Sequence, residues 1–104
     1  MKVEISVARD FSRTPGARHE KDGPFSGEKF RRDFLEKHFE NPEDEYEITV
    51  KLDGTAGYAT SFLEEAFGGL ARKFGKERCL RRFLFLSEDE PMLTDEIRGY
   101  IENA

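Results

Sequence analysis

The stretch Tyr46 to Gly75, YEITVKLDGTAGYATSFLEEAFGGLARKFG, constrains the fold most, because the spacing of its apolar residues changes from alternate to helical positions across one short turn. Tyr46, Ile48, Val50 and Leu52 share one side of a strand, and Glu47, Thr49 and Lys51 the other. Asp53 to Gly57 makes the turn. Beyond it Leu63, Ala66, Phe67, Leu70, Ala71 and Phe74 trace the buried stripe of an amphipathic helix, with Glu64, Glu65, Arg72 and Lys73 toward water. Ser61 and Glu64 spell a capping box, in which the serine hydroxyl accepts from the amide three residues on and the glutamate reaches back. Gly75 closes the helix, with Lys73 in its last turn. Gly68-Gly69 in its interior disfavours the helix by about 1 kcal/mol per residue relative to alanine, so close approach to the sheet or to another backbone is expected there.

The flanking segments extend the pattern both ways. Met1 to Ala8 alternates Val3, Ile5 and Val7 with Lys2, Glu4 and Ser6, the period of a half-buried peripheral strand. Residues 9–27, RDFSRTPGARHEKDGPFSG, carry the turn signals Pro15-Gly16 and Asp22-Gly23-Pro24 and read as a flexible loop or a loose hairpin, with Ala17 to Lys21 pairing back on the first strand. Ser26 caps a first helix from Gly27 to about Phe39, in which Phe30, Phe34, Leu35 and His38 recur at helical spacing before Asn41-Pro42 ends it. Arg82 to Leu86, RFLFL, is apolar on both faces, as a strand covered on both sides would be. Pro91 fits the first turn of a last helix that buries Leu93, Ile97, Tyr100 and Ile101. The expected architecture is one α/β domain over residues 1–104: a mixed four-stranded sheet, made of the N-terminal hairpin and two further strands, with three helices and right-handed crossovers.

Composition narrows the function classes. The 17 basic and 22 acidic residues interleave to a net charge of −5, without the basic stripe that nucleic-acid binding requires. The ten Phe residues supply enough apolar area for a single core. Cys79 is the sole cysteine, and the first residues read as a strand and not as a signal peptide, so a cytoplasmic protein without disulfides is expected. No apolar run reaches the roughly 18 residues of a membrane span. His19 and His38 with one cysteine make no zinc spacing, so neither metal nor cofactor is expected. Neither a Gly-rich phosphate loop nor a nucleophile elbow is present, which argues against an enzyme. Arg78, Arg81 and Arg82 would depress the Cys79 thiol, but a small residue packed at a strand entrance is the simpler reading.

The candidate site is the polar edge that follows the turn: Gly57, Tyr58, Thr60, Ser61, Glu64 and Glu65, where free backbone N–H groups of a helix start meet hydroxyls. Arg13 and Arg18 flank Pro15-Gly16, a spacing that suits two guanidinium groups gripping a phosphate or a carboxylate. Asp53 and Asp89 follow strand ends, where open α/β sheets place ligands and where lone carboxylates also close turns.

TSFLEEAFGGLARKFG, together with SRTPGAR, GPFSGEKF and EIRGYIE, resembles the STAS-like domain of unknown function of bacteria and archaea over nearly the whole chain. That family is similar to STAS domains of the anti-anti-sigma factor class, where a strand leads through an Asp-Ser-Ser-Gly type turn into a helix. A serine at that helix start is phosphorylated by a kinase of the histidine-kinase-like ATPase fold, which controls partner exchange. VKLDGTAGYATSFL lies on the pattern without a gap, with Ala59 at the Asp position and Phe62 at the Gly position, which puts Ser61 at the phosphoacceptor and Thr60 before it. The resemblance implies a non-catalytic, partner-switching regulatory module that binds a histidine-kinase-like ATPase through Gly57 to Glu65; a monomer or weak homodimer is expected. Two other readings stay open. One is a small-ligand or nucleotide site in which Arg13, Arg18 and the Thr60-Ser61 helix start hold an anion; the other is a self-associating module with Phe11 or Phe25 at a dimer interface.

Overall fold

The computed structural model describes residues 2–104, so Met1 of the first strand lies outside the described residues. Three strands, β1 (Val3–Ser6), β2 (Ile48–Lys51) and β3 (Phe83–Leu86), lie side by side in chain order, all parallel, with Val3 opposite Ile48 and Ile48 opposite Phe83. Four helices accompany them: α1 over residues 27–38, α2 over 60–74, α3 (Lys76–Arg82) and α4 (Leu93–Glu102). α1 and α2 widen to π pitch in their central segments, Arg31–Leu35 and Glu64–Gly68.

Each strand is the neighbour of the one before it, and the chain crosses the sheet in one direction. Two right-handed crossovers of that kind put α1 and α2 on the same face. Ile5, Ile48, Val50, Phe83 and Phe85 are buried on that face. Phe67 of α2 stands edge-on to Phe83 and Phe85 at 5.6 and 5.3 Å, and Phe39 after α1 meets Phe83 at 5.5 Å. The other face carries Glu4, Ser6, Thr49, Lys51, Leu84 and Leu86, all exposed or half-buried. The expectation that β3 is covered on both sides is therefore wrong: β3 is an edge strand, and Leu84 and Leu86 are 40% and 43% exposed.

The expected hairpin is also absent, so the sheet is three-stranded and parallel instead of four-stranded and mixed. Ala17 to Lys21 forms no strand; residues 16–28 fold back onto the start of α1 through Gly16 N–H to the Phe25 carbonyl (2.9 Å), Gly27 N–H to Ala17 (3.0 Å) and Glu28 N–H to Arg18 (3.0 Å). The reason lies at the outer edge of β1. Val7–Phe11 forms a π turn there, and the Asp10 carboxylate accepts the Ser6 amide at 2.8 Å, so the edge offers a returning strand no free donor at that point. The helix count differs as well, because the basic run before β3 is helical. Cys79 sits buried within it, not at a strand entrance, and burial pushes its thiol up to about 12 against the opposing influence of Arg78 and Arg82.

The expected cap of α1 forms, whereas Pro91 precedes Met92, the N-cap of α4, and so stands outside that helix's first turn. The Ser26 hydroxyl accepts the Lys29 amide at 3.1 Å and caps α1. Arg82, 1% exposed, lies between the Phe39 and Tyr46 rings at 4.5 Å from each and donates to the His38 carbonyl at 2.6 Å and the Tyr46 carbonyl at 3.1 Å. Arg78 donates to the Phe39 and Asn41 carbonyls at 2.7 and 2.5 Å. The two guanidinium groups thus collect the orphan carbonyls that follow α1 and close the connection to β2. No helix of the described residues is long and apolar enough to cross a membrane.

Candidate functional site

The turn between β2 and α2 is held by its neighbours more than by itself. The Asp53 carboxylate accepts the Glu88 amide (2.9 Å) and the Asp89 amide (2.8 Å), which holds its acid below the usual range and ties this turn to the loop after β3. Asp53 therefore closes loops, as lone carboxylates at strand ends do. The Ala56 amide donates to the Arg13 carbonyl at 2.8 Å, so the N-terminal loop reaches the turn through its backbone, while the Arg13 side chain is exposed. Gly57, at φ 130°, takes a conformation that favours glycine. Tyr58 covers the end of β2: its hydroxyl donates to the Leu52 carbonyl at 2.7 Å, its ring meets Phe62, and burial raises its phenol to about 12.

The capping box is not formed. Ala59, extended at φ −73° and ψ 142°, is the N-cap, and its carbonyl accepts the Phe62 and Leu63 amides at 3.1 and 3.2 Å. Thr60, exposed, and Ser61, half-buried, are the first two helical residues, so the Ser61 hydroxyl stands inside the first turn instead of ahead of it. Glu64 is turned away toward two guanidinium groups. Arg18 Nη1 donates to it at 2.5 Å and Arg72 Nη1 at 2.6 Å, and these bonds, Arg72's first, draw its acid down to about 2. Two charge-assisted bonds outweigh the single return bond to an amide that a capping box offers.

Glu64 is one member of a chain of ion pairs across α1, α2 and the N-terminal loop. Arg18 also reaches Glu65 at 3.2 Å; Glu65 pairs with Arg31; Arg31 donates to Glu36 at 3.0 Å; Glu36 accepts from Lys73 at 2.8 Å. The backbone of α2 makes room for it. In the π segment the Gly69 amide bonds the Glu64 carbonyl, so it does not take the Glu65 carbonyl, which accepts Arg31 Nη1 at 2.9 Å. A Cβ at Gly69 would stand 2.5 Å from that same nitrogen, and one at Gly68 2.5 Å from Glu64 Oε2. The double glycine thus accommodates side chains of the network, not the sheet or a backbone. The backbone approach between helices occurs at Gly27, whose missing Cβ would fall on the Phe62 carbonyl oxygen.

Of the residues singled out from the sequence, the fold gathers Arg18, Glu64 and Glu65 into direct contact beside Ser61 and Thr60. It brings Arg13 only by its backbone, and it gives Asp53, Gly57 and Tyr58 structural tasks in the turn. Arg31, Glu36, Arg72 and Lys73 complete the network and were not expected; their one sequence signal is the glycine pair that leaves space for them. Among the described residues no group of three His, Cys, Asp or Glu side chains could hold a metal ion.

No curated protein and no solved structure matches this chain. Residues 26–92, from the cap of α1 to the start of α4, match the family described as the STAS-like domain of unknown function. These residues contain α1, the β2–turn–α2 unit and β3, and the chain belongs to that STAS-like family.

Proposed function

We propose that this chain is a non-catalytic regulatory module of the partner-switching type, which binds a protein partner through Gly57 to Glu65 and is controlled by phosphorylation of Ser61, with Thr60 as the secondary acceptor. One observation carries the reading. Ser61, unused as a cap, sits one helical turn before Glu64 and Glu65, the two carboxylates on which Arg18 anchors the N-terminal loop.

A phosphate on Ser61 would add about −1.5 to −2 charges at a helix start, where free N–H groups and the positive end of the helix dipole favour it. The same charge repels Glu64 and Glu65 and competes with them for Arg18. Arg18 is the charged link between residues 16–28 and α2, so the competition alters the surface that a partner meets. The resemblance of the family to STAS domains supports a histidine-kinase-like ATPase as that partner. Arg18 is already engaged by two carboxylates, which weakens the alternative of a bare anion site shared with Arg13.

The test is to incubate the chain with ATP and a histidine-kinase-like ATPase encoded near it. A phosphate mass gain that maps to Ser61 or Thr60, or a complex that Ser61→Glu alters, is expected. No mass gain and no complex would refute the reading, and thermal stabilisation by nucleotides without any protein partner would favour the ligand alternative.

A further inference from the structure

We propose that the bare face of the sheet docks a second copy of this chain, face to face, about a twofold axis that lies between the two sheets and runs across the strands. All-parallel sheets are ordinarily covered on both faces, and here both helical crossovers fall on one. The uncovered face presents two rows: Glu4, Thr49 and Leu84, then Ser6, Lys51 and Leu86. Its two leucines are 40% and 43% exposed.

The rows are complementary to each other. Under the proposed operator the strands of the two copies run antiparallel, and the first row of one copy lies over the second row of the other. Leu84 then meets Leu86 of the second copy, and Glu4 comes over Ser6 beside Lys51 of the second copy. A twofold axis along the strands would instead lay Lys51 on Lys51 and the leucines on Glu4 and Ser6. Charge and apolarity therefore select one symmetry operator. Glu4 and Lys51 already pair within one copy while remaining half exposed, so both are positioned to extend into an intermolecular pair. A pocket of about 540 Å³, lined by Ser6, Lys51, Asp53, Leu86 and Thr94 among others, opens at the second row and receives Leu84 of the second copy.

The size of the face sets the strength of the contact. Three strands about 4.8 Å apart and four residues of about 3.3 Å each make a platform on the order of 14 by 13 Å. That is small against the roughly 800 Å² per partner of a standard interface, and the net charge of −5 on each copy opposes association. The dimer is weak and forms at high concentration.

Sedimentation equilibrium from micromolar to millimolar chain concentration tests it. The wild type should pass from monomer to dimer across that range, and Leu84→Asp should weaken the dimer about tenfold or more. Glu4→Lys and Lys51→Glu should each weaken self-association about tenfold, while an equimolar mixture of the two regains a heterodimer, because each supplies the charge the other needs. These two positions are on the surface, so the charge exchange reads the interface even if Leu84→Asp fails to fold. A chain that is monomeric at millimolar concentration, a dimer indifferent to Leu84→Asp in a folded variant, or a mixture that does not associate better than its components would overturn the proposal.

Discussion

Gly27→Ala tests how closely the two main helices pack. Gly27 opens α1 where its backbone lies against α2: an added Cβ would fall on the Phe62 carbonyl oxygen and within 3.1 Å of Glu65 Cβ. Phe62 is fully buried and its carbonyl belongs to the first turn of α2, so neither can step aside alone. The helices must separate, which loosens the Phe30–Phe62 ring contact at 5.9 Å and the reach of Arg31 to Glu65. Overpacking of this kind costs about 1–3 kcal/mol, offset by roughly 0.4–1 kcal/mol from the smaller entropy of the unfolded alanine chain. The net loss of about 1–2 kcal/mol corresponds to a fall in Tm of roughly 5–15 °C for a domain of this size. Gly99→Ala is the matched control. Gly99 lies inside α4 with nothing within 4 Å of its would-be Cβ, so the same substitution should stabilise by up to about 1 kcal/mol. Thermal melts followed by circular dichroism read both. If Gly27→Ala melts at or above the wild type, the close approach is not a constraint and the reasoning fails.

Three further outcomes are expected. Ser61→Ala should change stability by less than about 0.5 kcal/mol, whereas Ser26→Ala, which removes a formed cap, should cost about 1 kcal/mol in chemical denaturation; equal losses would restore the capping box at Ser61. Glu64 has its folded-state pKa drawn from the ordinary 4.5 to about 2, so its contribution is present above pH 4.5 and lost as pH falls toward 2. Because Arg18 and Arg72 are partly exposed, that contribution is on the order of 1–2 kcal/mol, and Glu64→Gln should flatten the stability profile between pH 5 and 2 by that amount, a change that urea titrations at stepped pH would detect. Arg82→Ala should destabilise by about 3 kcal/mol by leaving two half-buried carbonyls without their donor and opening a cavity between Phe39 and Tyr46, and Arg82→Lys should recover less than half of the loss, since an ammonium neither stacks on two rings nor reaches two carbonyls in one plane.

How far each feature can be read from the sequence follows from the range of the forces behind it. The β2–turn–α2 unit was legible because its apolar residues repeat at the period of each element, and Leu63, Ala66, Phe67, Leu70 and Ala71 are all buried as that period requires. The Ser26 cap was legible because donor and acceptor stand three residues apart. Ser61 and Glu64 carry the same local signature, yet it fails, because Arg18, 46 residues from Glu64, arrives with a stronger bond. α3 was missed because Lys76–Arg82 is short and its charges conceal a helix whose one fully buried small side chain is Cys79.

What the sequence determined by itself is therefore local: where apolar spacing changes period, which serine caps α1, and the motifs that mark a STAS-like chain. The tertiary structure alone decided that three parallel strands leave one sheet face bare, that residues 16–28 fold onto α1 instead of β1, and that Ser61 stands free of capping beside a network of ion pairs. The physical reason is competition. Periodicity and caps involve groups within a turn of each other, while strand pairing and the choice of Glu64's partner depend on groups tens of residues away, whose offers exist only once the chain has folded.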